Sequence, residues 1–61
     1  PTEVTTLNNM GLVYVSQGQF SQALNYFQQA LVIARELGDR ANETVILENI
    51  QDVNRNLEQN P

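Results

Sequence analysis

Glu48 and Asp52 fall one helical turn apart, with Asn49 beside them. Carboxylates at that spacing can serve as an acid–base pair or as oxygen ligands for a divalent cation. No dedicated turn and no further ligands close around them, so the pattern reads as a solvated acidic face. Asn42-Glu43-Thr44 matches a glycosylation acceptor, but the triplet sits at a helix start in a chain with no sign of secretion and reads as a chance match. The chain has neither His nor Cys, which removes the commonest general base, the usual zinc ligands and the thiol nucleophile. No catalytic residue, metal or cofactor is expected, and the chain is expected not to be an enzyme.

The formal net charge is −4, and the only cations are Arg35, Arg40 and Arg55. Nucleic-acid binding needs several cationic phosphate contacts on one face, and an anionic membrane needs a basic cluster; neither is available. No apolar run reaches the length of a spanning helix or a leader core. The chain is expected to be soluble and cytoplasmic, and since it begins at Pro1 rather than Met, further sequence upstream is expected. Its 61 residues make at most one domain, with a thin core, because chains this short bury only about 60% of their unfolded surface. With no disulfide available, stability must come from economical packing or from neighbours.

The elements that must do that packing are helical. Leu7, Met10, Gly11 and Tyr14 stand at i, i+3, i+4 and i+7, which puts them on one face of a helix over about 2–17. Gly18 then stands where a left-handed residue ends a helix, and Ser16-Gln17-Gly18-Gln19 is long enough only for a tight connection. Phe20, Ala23, Leu24, Phe27, Ala30, Leu31 and Ala34 continue the three-four spacing, predicting an antiparallel helix over 20–37 that stops at Gly38. Asp39 suits an N-cap and Glu43 the first turn of a third helix, over about 40–58, fraying before Pro61.

A shift of 40 residues aligns Glu3–Val13 with Glu43–Val53, keeping Glu, Leu, Asn and Val in register and placing Ile50 on Met10. The third helix therefore restarts the first, and self-similarity at this period marks a stacked helical architecture. With Leu7, Gly11, Tyr14, Phe20, Ala23, Phe27 and Ala30 at their spacing, the chain resembles the tetratricopeptide repeat family, as one full repeat plus one further helix. Arg35 stands where that family usually closes its second helix with proline, which is similar to the longer repeats of kinesin light chains, bacterial regulators and cell-polarity adaptors.

The resemblance implies an all-α fold: an antiparallel helix–turn–helix repeat over 1–40, then the first helix of a second repeat over 41–61, together a fragment of a right-handed α-solenoid. Gln51 and Asn54 replace Gly11 and Tyr14 in the second copy, while Ile46, Ile50, Val53 and Leu57 keep one apolar stripe. The third helix is thus expected to cover the first repeat through Ile46, Ile50 and Val53 and to present a polar outer side, as terminal caps do. Tyr26 and Ile33, one face round from Phe27, are expected at the core margin, against Leu47 or half exposed.

The resemblance also implies a protein-interaction scaffold with a groove lined by first helices: Thr5, Asn8, Asn9, Leu12, Val15 and Ser16, then Val45, Glu48, Asn49, Asp52, Arg55 and Asn56. Asn9 and Asn49 occupy the position from which an asparagine holds a peptide backbone, an amide both donating and accepting. Of these, Thr5, Asn8, Asn9, Leu12, Asn49 and Arg55 are the candidate peptide contacts. A clamp for a C-terminal carboxylate is not expected, since only Arg55 is basic. The rival reading is a structural or self-assembling minimal repeat unit with no ligand of its own. An apolar strip around Thr6, Met10 and Val13 would pair two copies as a homo-oligomer, or the turn at 16–19 would open to give a helix-swapped dimer.

Overall fold

The computed structural model describes residues 2–59. They form three helices, α1 (Thr2–Ser16), α2 (Phe20–Leu37) and α3 (Arg40–Gln59), with no strand among the described residues. The fraying expected before Pro61 lies outside the described residues.

Both turns are built the same way. Gly18 and Gly38 adopt left-handed φ values of 74° and 68°, which cost little without a Cβ. Each lets the chain fold back so that its amides bond carbonyls in the last turn of the helix. The Gln19 amide donates to the Tyr14 carbonyl at 2.9 Å and the Gly18 amide to Val15 at 3.0 Å. Twenty residues on, the Asp39 amide donates to Ala34 at 2.8 Å and the Gly38 amide to Arg35 at 3.1 Å. The first reversal draws Gln17 out of the helix, so α1 stops at Ser16 rather than at 17.

The restart into α3 is the better capped. The Asn42 backbone amide donates to Asp39 Oδ1 at 3.2 Å, and the Asn42 side-chain amide donates to Oδ2 at 2.7 Å. Those two bonds, the side-chain one foremost, favour the carboxylate and hold the Asp39 pKa below its ordinary 3.8. Glu43, one turn in, pairs with Arg35 Nε at 3.1 Å and so ties α3 to the end of α2. By contrast, Gln19 makes no side-chain bond to the start of α2.

The core follows α2, which packs against both other helices while α1 and α3 meet only narrowly. Ala23, Phe27, Ala30 and Ala34 of α2 are fully buried, with Val4 of α1 and Ile46 and Val53 of α3. Three of the four buried α2 residues are alanines, so α1 and α3 approach its backbone closely while Phe27 supplies the bulk. Gly11 is what makes room for it. A Cβ built there would lie 2.5 Å from Phe27 Cε1 and 2.7 Å from Cδ1, so the ring rests on bare α1 backbone. The Tyr14 and Tyr26 rings stack near this contact, with centroids 5.3 Å apart and planes 10° apart. Tyr26 is half-buried, as expected, but it leans on α1 rather than on Leu47, which is exposed.

Two apolar residues lie further out than their stripes suggest. Met10 is 38% exposed, and the buried contact on that stripe comes instead from Val4, since 4, 7, 11 and 14 make the narrower seam that faces α2. Leu57 is 41% exposed, because in an antiparallel pair it stands level with Phe20, where α2 begins and its cover runs out.

Two outcomes test this packing. Gly11→Ala gains about 1 kcal/mol of helix propensity, yet the methyl must displace a buried ring, at about 1–3 kcal/mol. Urea melts should show Gly11→Ala less stable than the parent, and equal or greater stability would contradict the close approach. Asp39→Ala should also lower the melting temperature. The Asp39 contribution, from a depressed pKa, is complete above 3.8 and lost as pH falls through the lower folded value. The gap between parent and variant should therefore close below that pH, and a gap that is constant with pH would rule out the carboxylate cap.

Candidate functional site

Parallel α1 and α3 present neighbouring faces on one side of the molecule, and a side-chain hydrogen bond joins them. Asn49 Nδ2 donates to Asn8 Oδ1 at 3.0 Å, both side chains half-buried. That bond uses one of the two N–H groups of Asn49 and leaves its second N–H and its carbonyl oxygen for another partner. Asn8 is held as well, so the two amides orient one another.

The structure thus joins Asn49 to Asn8, not to its sequence equivalent Asn9, which is exposed and has no side-chain partner among the described residues. Neighbouring helices touch through their facing flanks rather than through equivalent residues. Asn8 lies on the flank of α1 toward α3, and Asn9 is about 100° further round. Thr5 is exposed near the start of α1, and Leu12 is exposed one turn beyond Asn8 at 42%. Val45, Glu48 and Asp52 are exposed on α3. Asp52 accepts a 3.6 Å ion pair from Arg55, both largely solvated, and such a pair adds little to stability. Asn56 Nδ2 donates to the Asp52 carbonyl at 3.0 Å and the Ser16 hydroxyl to the Val13 carbonyl at 2.7 Å, so both bond their own helices. Val15 is the one residue of the expected lining that turns inward, packing against the core.

The resulting face holds two central amides, apolar Leu12 and Val45 to their sides, and an acidic margin on α3. Such a surface carries both hydrogen-bonding and apolar groups. Among the described residues no group of three His, Cys, Asp or Glu side chains could hold a metal ion. Among the described residues, no helix is long and apolar enough to cross a membrane. The Asn8–Asn49 bond was legible only as two amides in one groove, whereas the Arg35–Glu43 tie gave no sequence signal beyond opposite charges across a turn.

Two helices locked by a glycine under a phenylalanine, with a third restarting the pattern of the first, define an α-helical repeat module. Compared with family models, residues 2–59 match the tetratricopeptide repeat, and the chain belongs to that family. No curated protein and no solved structure matches the chain. Membership makes it, in general terms, a protein-interaction repeat module.

If Asn8 and Asn49 support one another, a double-mutant cycle with Ala at each should give a coupling of about 0.5–1.5 kcal/mol. Additive losses in thermal or urea melts would mean that the bond is not formed in solution.

Proposed function

We infer that the shared face of α1 and α3 receives an extended segment of a partner protein, with Asn9 and Asn49 addressing its backbone. Thr5, Asn8, Leu12 and Arg55 complete the contact. The observation that carries this reading is the 3.0 Å bond from Asn49 to Asn8, which fixes the Asn49 amide and leaves it one donor and one acceptor. An amide fixed beforehand loses less freedom on binding than one that must be ordered. Leu12 offers the apolar contact, and Glu48 and Asp52 favour a segment that is not itself acidic. Residues 1–40 act as the repeat and 41–61 as its cap, in a cytoplasmic scaffold without catalysis of its own.

A second reading, a self-assembling structural unit with no other ligand, is supported by the exposure of Thr6, Met10 and Val13 along the outer side of α1. It takes the form of a homo-oligomer or of a helix exchange at the turn.

For the first reading, a peptide selected on the 61-residue chain from a random-sequence display library is the probe. Replacing Asn9 and Asn49 by Ala should weaken it by about 0.5–1.5 kcal/mol for each bond lost. Asn9→Ala should leave the melting temperature unchanged, because that side chain is exposed and has no partner among the described residues. Titration calorimetry showing an unaltered dissociation constant for both variants would remove these residues from the site.

A further inference from the structure

Met10, Val13, Tyr14 and Gln17 line an open depression of about 220 Å³ on the outer side of α1. They stand at i, i+3, i+4 and i+7, the four positions whose side chains form the hole that receives a knob from a facing helix. The rim is accessible, Met10 being 38% and Val13 54% exposed. The floor is firm, since Tyr14 is held from behind by its stack on Tyr26. The chain also contains the same face in use. Forty residues on, Met10 and Val13 become Ile50 and Val53, which α3 packs into the core beside α2.

We propose that this hole takes α1 of a second copy of the chain, the two helices pairing antiparallel about a two-fold axis near Val13. The proposal rests on the self-assembling reading and gives it a surface and a geometry. Charge singles out the occupant. The chain carries −4, but no charged residue lies between Val4 and Ala34, so α1 is where two like-charged copies meet without repulsion. Antiparallel pairing also sends the two Glu3 carboxylates to opposite ends of the contact. A head-to-tail arrangement would instead need the side of α2 that faces α3, and Ile46 and Val53, both 1% exposed, already fill it. The outer side of α1 is therefore its own free complement, the self-matching patch that a two-fold dimer requires.

Sedimentation equilibrium of the 61-residue chain from about 10 μM to about 1 mM, the range of a small, weak interface, should show mass rising from monomer toward dimer. Val13→Glu faces two carboxylates across the axis and should weaken association about tenfold or more, with unchanged helicity. Val32→Glu, on exposed α2 surface, should associate like the parent. The single methionine gives a probe that needs no mutation: the ¹³C-methyl signal of Met10 should shift with concentration along the same curve as the mass. A parent that stays monomeric to about 1 mM overturns both the pairing and the self-assembling reading. A dimer indifferent to Val13→Glu, or one in which the Met10 signal stays fixed, overturns this surface alone and points to helix exchange.

Discussion

The fold depends on the distance between α1 and α2, and Gly11 sets that distance. With no side chain at this position, the Phe27 ring lies directly on the α1 backbone, where even a methyl group would come within 2.5 Å of it. Phe27 has the largest of the fully buried side chains. Losing such a ring costs about 3–5 kcal/mol, a large share of the 5–15 kcal/mol that holds ordinary domains together. In a chain of 61 residues little else could replace it. The position of every other contact follows from this one. With the ring settled toward α1, the small Ala30 and Ala34 leave a shallow surface onto which Ile46 can close, and Val53 is buried with it in the same core.

That economy explains why three short helices suffice. α2 is used on two sides, so its buried residues serve two interfaces, and four of them, three alanines and one phenylalanine, make up most of the core with Val4, Ile46 and Val53. The two glycine turns reverse the chain in three residues or fewer and return amides to carbonyls in the last turns of the helices they close, Tyr14 and Val15 in α1 and Ala34 and Arg35 in α2. The cost of using α2 twice is that α1 and α3 are each covered on one side only. Two faces are left exposed as a result: the shared amide-bearing face of α1 and α3, and the uncharged outer side of α1.

Much of this was legible in the sequence because it is periodic or punctuated. The three-four spacing from Phe20 to Ala34, the glycines at 18 and 38 and the lone glycine at 11 each carry a local steric meaning, and the structure follows all of them. What escaped is relational. Val4 completes the 4, 7, 11, 14 seam, yet its neighbours Thr5 and Thr6 hide it among polar residues, while Met10 looks equally apolar and lies outside the seam. Asn9 and Asn49 match in sequence, but the sideways offset of parallel helices hands the contact to Asn8. The Arg35–Glu43 pair and the Tyr14–Tyr26 stack likewise need the rotation of one helix about its axis relative to the next. A repeat in sequence sets which residues are equivalent, whereas packing sets which of them touch.

α1 and α2 meet with no side chain between the Gly11 backbone and the Phe27 ring. Proton NMR of the folded chain reads this directly, through nuclear Overhauser effects between the Gly11 Hα protons and the Phe27 ring. Strong cross-peaks between them are expected, together with Gly11 Hα resonances displaced by the ring current of the phenylalanine. Gly11 protons with ordinary shifts and no contact to that ring, in a chain that is helical and cooperatively folded, would contradict it.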